Sequence, residues 1–194
     1  MAFLTNEEFS GLFTTFEHTA YRLEPRESYV GASATVGAFA RWMAGEWASP
    51  DRDHIWYQNV RAQSAAGKRF ARVRVVSEPW SVYSRYGLWS SLVNIEAGED
   101  IRYLPRHRAE AANLPVALPG RDYWLFDSRL LVVLHFDDTT NDVVRYEVVE
   151  DPATIVQHNY WRDTAWHYAL SRDEYVGQAG ESVEPPSPAT PGAS

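Results

Sequence analysis

The chain has 194 residues, of which 45% are hydrophobic and 14% aromatic, and its formal net charge is -8. This composition excludes a disordered protein, and the acidic balance disfavours direct nucleic-acid binding, because that depends on Lys and Arg displacing counterions from phosphates. The absence of cysteine from the sequence excludes disulfides and thiolate chemistry. The opening MAFLTNEEF has acids where a signal peptide has bases, and no run approaches the roughly 20 apolar residues of a membrane span. We therefore expect a cytoplasmic protein that does not contact membranes.

In chain order, the first part of the sequence predicts helices. Thr5 and Glu8 form a capping box at the start of the first helix, whose apolar stripe consists of phenylalanines. An extended piece, AYRLE, follows at 20–24. Two further helices are predicted at about 35–44 and 53–66, and each is followed by a glycine where a C-cap glycine would lie.

The hydrophobic period then changes to that of strands. RFARVRVV at 69–76 alternates, which predicts a strand with one apolar and one mixed face. The next helix has Pro79 in its first turn, a position that tolerates proline, and ends at Gly98. DIRYL at 100–104 predicts a short strand, and the proline-containing stretch 106–120 predicts a loop with a single helical turn.

The last part of the sequence predicts an antiparallel meander and a closing helix. YWLF at 123–126 and LLVVLHF at 130–136 form a hairpin, and VVRYEVV at 143–149 follows as a third strand. Asp151 caps a long helix that runs to about Leu170.

These elements predict an α/β (α+β) fold. N-terminal helices pack on a mostly antiparallel mixed sheet in two layers, and a C-terminal helix closes the domain. Residues 1–176 are predicted to form a single globular domain. The tail at 177–194 is rich in Pro, Ser and Gly, and we expect it to be disordered because it lacks apolar anchors.

Four blocks of the sequence resemble an uncharacterised family of actinomycete proteins. They are RVRVVSEPWSVYSRYGL, AGEDIRYLPR, DYWLFDSRLLVVLHFDD and EDPATIVQHNYWRDTAW, and the similarity runs from about Phe9 to Tyr175. The family is a domain of unknown function, often encoded beside helix-turn-helix regulators, which implies a regulatory context. The order of elements also resembles the phospholipase-D-like fold, although the His-x-Lys motif of that fold is absent from this sequence. The resemblance therefore implies no catalytic residue.

His135 is the first candidate for chemistry. A hairpin centred on 128–129 places Asp122 opposite His135 across the two strands. Asp137 lies two residues beyond His135 and hence on the same face. A carboxylate beside an imidazole fixes its tautomer and raises its pKa, as a general base requires. The alternative is that these residues mark the point where a buried strand emerges into a polar turn.

The last helix offers a second set of polar residues. Asp163 and His167 are four residues apart and share one face, which suits an ion pair or two ligands of a metal. His158 lies on nearly the opposite face, so the helix cannot bring all three to one ion. We therefore predict an ion pair, and neither a metal nor another cofactor.

Arginines and aromatic residues are interspersed in the middle of the chain. The predicted ligand-binding residues are Arg72, Arg74, Arg102, Arg106, Trp80 and Tyr83. Guanidinium groups beside aromatic rings hold anions through forked hydrogen bonds and cation–π contacts, which predicts a small anion-binding pocket. Alternatively, the arginines pair with nearby acids while the rings pack in the core; these acids are Glu78, Glu96, Glu99 and Asp100.

Two functions are open at this point. The first is a non-catalytic regulatory or binding protein that recognises a protein partner, such as a helix-turn-helix regulator, or a small anionic ligand. The alternative is a small hydrolase, phosphodiesterase or biosynthetic tailoring enzyme that uses His135 with Asp122 or Asp137 and an arginine clamp. The sequence contains neither a nucleophile elbow nor a Gly-rich phosphate loop, which favours the first.

Overall fold

The computed structural model describes residues 2–29, 33–46, 51–116 and 122–184. These ranges contain eight strands and seven helices. The strands are β1 (Ala2–Leu4), β2 (Thr19–Glu24), β3 (Arg69–Val76), β4 (Glu99–Pro105), β5 (Tyr123–Phe126), β6 (Leu130–Phe136), β7 (Val143–Val149) and β8 (Leu170–Ser171). The helices are α1 (Asn6–Thr15), α2 (Ser33–Met43), α3 (Ile55–Ala65), α4 (Val82–Ala97), α5 (Arg106–Ala111), α6 (Pro152–Tyr168) and α7 (Arg172–Ala179).

All eight strands belong to one sheet, in the order β1-β7-β6-β5-β2-β3-β4-β8. The strands β2, β3 and β4 are parallel neighbours, and the other neighbours are antiparallel. The two parallel connections contain helices, because parallel strands need a crossover: α2 and α3 connect β2 to β3, and α4 connects β3 to β4. The predicted α/β class with a mostly antiparallel mixed sheet is confirmed.

Helices cover both faces of the sheet, so the domain has three layers and the predicted two-layer arrangement is wrong. On one face, Leu23, Val73 and Leu125 pack in a core that includes residues of α5 and α6. On the other face, Phe70 and Trp124 pack against α1 and α3. This division follows from the pleat, because successive residues of a strand point to opposite faces.

Side-chain caps define the helix starts. The capping box of α1 is confirmed: the Thr5 side chain accepts from the backbone N–H of Glu8, whose carboxylate accepts from the backbone N–H of Thr5. Asp151 caps α6 as predicted. For α4 the predicted place of Pro79 in the first turn is wrong, because the cap is Ser81, whose hydroxyl accepts from the backbone N–H of Ser84.

The C-terminal part of the domain contains elements that were not predicted. Strand β8 pairs with β4, and α7 follows it with a second capping box, formed by Ser171 and Glu174. Gly177, where the tail was predicted to begin, lies inside this helix. The helix packs on the sheet through Tyr175, which is 1% exposed. The rest of the predicted tail from residue 185 onwards lies outside the described residues.

None of the helices in the described ranges combines the length and the apolar character that crossing a bilayer requires.

Candidate functional site

A cavity of about 720 Å³ lies between the sheet and helices α1, α3 and α4, on the face opposite α6. Strands β2 and β3 form its floor. Their parallel register places Arg22 beside Arg72 and Glu24 beside Arg74. Because these four residues alternate with core residues along their strands, their charged groups all point towards the cavity.

Glu24 lies at the centre of a buried ion network. Its Oε1 is 2.8 Å from Nη1 of Arg22 and 3.1 Å from Nη1 of Arg72. Its Oε2 accepts a hydrogen bond from Nη1 of Arg74 at 3.2 Å. The single negative charge of Glu24 therefore offsets only part of the positive charge of three guanidinium groups. Buried charges are stable only when they are paired, so the arginines need further acids.

Two further carboxylates complete the compensation. Glu99 accepts a bidentate pair from Arg72, with Nε to Oε1 at 2.8 Å and Nη2 to Oε2 at 2.9 Å. Asp122 accepts from Nε and Nη2 of Arg22 at 3.3 and 3.2 Å. The hydroxyl of Tyr29 donates to the second oxygen of Asp122. Arg22 and Arg72 thus each have two carboxylate partners.

The three carboxyl groups differ in how the network changes their pKa. Burial opposes the ionisation of Glu24, but three adjacent arginines outweigh it and lower its pKa to about 2. Burial dominates at Glu99 and Asp122 and raises the pKa of each above its ordinary value, although a neighbouring arginine opposes the change. Glu24 is therefore the most firmly ionised acid of the network.

Arg74 is the incompletely paired member. Its guanidinium carbon lies 5.0 Å from the ring centre of Tyr29 and 5.3 Å from that of Tyr83, distances typical of cation–π contacts. The residue is 6% exposed. Its Nε has no hydrogen-bond partner among the described residues. Buried guanidinium donors normally find an acceptor. Among the described residues the Nε atoms of Arg26, Arg85 and Arg102 also lack one, but of these four arginines Arg74 is the one that lines the cavity.

Aromatic rings form much of the remaining wall of the cavity. Those contributed by the helices are Phe9, Phe13, Trp56, Tyr57, Tyr83, Tyr86 and Trp89. Ligand pockets typically combine such an apolar lining with a few polar groups that orient the ligand. The cavity has this composition.

The structure brings together three of the six predicted ligand-binding residues. Arg72, Arg74 and Tyr83 all line the cavity. Arg72 also pairs with Glu99, as the alternative interpretation predicted. That this group binds a ligand stays a prediction.

The other three predicted residues lie elsewhere. Arg102 is beside Val73 in the sheet and therefore on the opposite face, where its guanidinium carbon is 4.1 Å from the ring centre of Trp166. Arg106 is the first residue of α5 and donates to the carbonyl of Pro25 at 2.6 Å. Trp80 packs in a separate core, and its Nε1 donates to the hydroxyl of Tyr175 at 2.8 Å.

The predicted pairing of Asp122 with His135 is wrong. The observed hairpin pairs Tyr123 with Val133 and Phe126 with Leu130, one residue away from the predicted register. A slip of one residue moves a side chain to the other face of the sheet. Asp122 therefore points towards Arg22 on the cavity face, and His135 points to the opposite face.

His135 and Asp137 have separate partners. Nε2 of His135 is 2.7 Å from Oε2 of Glu147 on the neighbouring strand. Oδ1 of Asp137 accepts from the backbone N–H groups of Thr139 and Thr140 at 2.8 and 2.9 Å, within the turn after β6. Asp137 therefore shapes the polar turn, as the alternative interpretation of this stretch predicted.

We expect replacement of His135 by Ala to lower the free energy of unfolding by less than about 1 kcal/mol, because partly exposed ion pairs contribute little. The side chains of His135 and Glu147 are 30% and 21% exposed. Urea denaturation of the purified chain measures this difference. A loss of several kcal/mol would show that the pair has a structural role that its exposure does not indicate.

Sequence reasoning missed Arg22, Glu24 and Tyr29 as members of the site. The available signal was the pair of charged residues in AYRLE, a short strand whose other members are mostly apolar. A charged residue in the middle of a buried strand needs a partner on the same face. Which strand supplies that partner is not a local property of the sequence.

The polar residues of α6 that were considered as metal ligands or ion-pair partners contact neighbours within the same helix. The carboxylate of Asp163 accepts from Nε of the adjacent Arg162 at 2.8 Å. Nδ1 of His158 is 2.8 Å from the carbonyl oxygen of Thr154. Across the described ranges, no three residues of the types His, Asp and Glu are grouped so that they could hold a metal ion.

Comparison with known proteins extends the resemblance seen in the sequence. A family model described as a domain of unknown function, DUF6879, matches residues 7–177. No curated protein and no solved structure matches the chain.

Proposed function

Because the chain belongs to the DUF6879 family, whose description assigns no activity, we propose a function from the cavity itself. The protein is a non-catalytic binding protein that takes a small anionic ligand into the cavity beside Arg74 and regulates a protein partner. The partner that the sequence resemblance suggests is a helix-turn-helix regulator.

One observation carries the proposal. The buried Nε of Arg74 has no acceptor in the part of the chain that the structure describes, and it borders a cavity of about 720 Å³. A buried donor without a partner costs about 1–3 kcal/mol. An anionic oxygen inside the cavity removes this cost, whereas a neutral apolar ligand does not.

The arrangement supports binding better than catalysis. The enzymatic alternative needs His135 to meet Asp122 or Asp137, and these side chains have the separate partners described above. The acids nearest to the cavity are already paired with arginines. The chain's net charge of -8 suits a basic partner such as a DNA-binding regulator.

We expect the protein purified from its own host to show, in a native mass spectrum, a small molecule bound to the 22.1 kDa chain. Replacing Arg74 by Lys should lower the occupancy of this molecule at least about tenfold. Lysine keeps a positive charge near Glu24 but lacks the Nε donor, and a hydrogen bond to a charged group contributes about 1.5–3 kcal/mol.

Arg102→Lys is the matched control. This arginine is on the opposite face of the sheet, so the same substitution there should leave the occupancy unchanged. Circular dichroism of both variants verifies that they fold. An adduct that persists in Arg74→Lys, or a chain that carries no small molecule at all, would contradict the proposal.

A further inference from the structure

The charges around the cavity indicate how many negative charges a ligand can bring. Arg22 and Arg72 each contact two carboxylates, whereas the described residues give Arg74 a single carboxylate contact, to Glu24. Three guanidinium groups and three carboxylates balance in charge, so the network offers a ligand the unpaired donors of Arg74 but no net positive charge. Every negative charge of a ligand is therefore added to a neutral network, and a second one on the same ligand has no cation to pair with, which disfavours it strongly.

The charged residues at the exposed end of the cavity do not favour a ligand with more than one negative charge either. The exposed charged residues that line it are Arg41, Glu46 and Asp51, which together carry more negative than positive charge. They oppose the entry of a dianion such as a phosphate monoester. A monoanion is opposed less, because repulsion grows with the product of the charges.

The donor geometry favours a carboxylate as the monoanionic group. Nη1 of Arg74 already donates to Glu24, and Nε lies on the other edge of the planar guanidinium. This edge presents parallel N–H bonds that match the two oxygens of a carboxylate.

The walls indicate the rest of the ligand. Trp56 and Tyr57 of α3 and Tyr86 and Trp89 of α4 line the same cavity as Arg74. Aromatic walls favour flat rings, which interact with them through offset-stacked and edge-to-face contacts.

Gly87 keeps this space open next to the guanidinium. A methyl group added to Gly87 would lie 3.7 Å from Nε of Arg74. Glycine is a poor residue for the interior of a helix, yet Gly87 is in the sixth position of the 16-residue α4. Its lack of a side chain leaves room beside the buried Nε donor.

We propose that the ligand is an aromatic monocarboxylate, whose carboxylate accepts from Nε of Arg74 and whose ring occupies the aromatic space beside Gly87. This inference rests on the proposed function, because it specifies the class of anion that the same cavity binds.

Isothermal titration calorimetry of the full chain with benzoate tests the proposal. Three compounds serve as matched probes: cyclohexanecarboxylate keeps the charge without the aromatic ring, phenyl phosphate keeps the ring with more charge, and benzylammonium reverses the charge. We expect benzoate to bind at least about tenfold more tightly than each of them, a difference that calorimetry resolves.

Gly87→Ala provides the structural test, because alanine favours the helix while its methyl group covers Nε of Arg74. We expect benzoate affinity to fall at least about tenfold without a lower urea midpoint. Gly11→Ala in α1 is the matched control: nothing lies within 4 Å of the added methyl group, and benzoate affinity should not change.

The outcomes separate the two proposals. If phenyl phosphate or cyclohexanecarboxylate binds as tightly as benzoate and Arg74→Lys abolishes that binding, the aromatic monocarboxylate is ruled out while an anion site remains. Unchanged benzoate affinity in Gly87→Ala also overturns the inference. If none of the three anions binds in a manner that depends on Arg74, the inference and the proposed anion site are both wrong.

Discussion

Glu24→Gln should lower the free energy of unfolding by about 3–5 kcal/mol, the loss expected when one member of a buried ion network is removed. Glu24 is 4% exposed and contacts Arg22, Arg72 and Arg74. Glutamine has nearly the same shape, so the substitution removes the charge and little else. The three guanidinium groups then share only Glu99 and Asp122, and both of these acids ionise less readily than usual because they are buried.

Urea denaturation of wild type and variant at neutral pH measures this loss. Glu96→Gln is the matched control, because Glu96 pairs with Arg52 at the surface and both side chains are 54% exposed. The control should unfold at the same urea concentration as the wild type. A Glu24→Gln protein as stable as this control would show that the arginines do not depend on Glu24.

The difference in stability between wild type and Glu24→Gln should depend on pH. The pKa of Glu24 is lowered from its ordinary value of 4.5 to about 2 in the folded protein. Its contribution to stability is therefore complete above pH 4.5 and is lost as the pH falls through about 2. Glu99 and Asp122 have the opposite effect on stability. Because their pKa is raised in the folded protein, they stabilise the folded state more as the pH falls. The stability difference between wild type and Glu24→Gln should thus shrink between pH 4.5 and pH 2.

Asp127→Ala should have the second largest effect, a loss of about 2–4 kcal/mol, because the carboxylate accepts charge-assisted hydrogen bonds that contribute about 1.5–3 kcal/mol each when fully buried. Its oxygens accept from the backbone N–H groups of Glu17, His18 and Thr19 at 2.9, 2.7 and 2.9 Å. These contacts attach the turn of the β5–β6 hairpin to the start of β2. The same hydrogen bonds lower the pKa of Asp127 against the effect of burial.

The backbone at Asp127 adds a second cost to the alanine substitution. Its φ of 52° lies in the left-handed region, which aspartate tolerates better than alanine does. Asp127→Gly removes the carboxylate without this strain, so we expect it to lose about 1 kcal/mol less than Asp127→Ala. Chemical denaturation of the two variants separates the effects. Equal losses would indicate that the hydrogen bonds account for the whole change.

The register of the β5–β6 hairpin could not be predicted from the sequence. The sequence places a turn around residues 127–129, but two registers are compatible with that placement. The observed one depends on Asp127 and Ser128, which both adopt positive φ, and on the contacts of Asp127 with the residues before β2. Those contacts join parts of the chain about a hundred residues apart. They decide which face of the sheet Asp122 and His135 occupy.

The sequence by itself determined the elements that depend on residues close to one another along the chain. Capping hydrogen bonds within three or four residues define the start of α1 and α6, and the alternation of RFARVRVV determines both faces of β3, with Arg72 and Arg74 on one of them. The short β8 was missed because it exists through its pairing with β4. The helix α7 does have a local signal, the capping box of Ser171 and Glu174, which was overlooked in the sequence.

Only the tertiary structure decided the site. Strand β2 lies between β3 and β5, and this order brings Glu24 to Arg74, 50 residues away in the sequence. The register of β4 against β3 separates Arg102 from Arg74, because Arg102 pairs with Val73 and so lies on the opposite face, although both arginines were predicted to hold one anion. The physical reason is that side-chain periodicity specifies which residues of a strand share a face, but not which strands become neighbours. Strand order follows from long-range packing of the two cores, and that packing places one incompletely paired arginine beside an aromatic cavity.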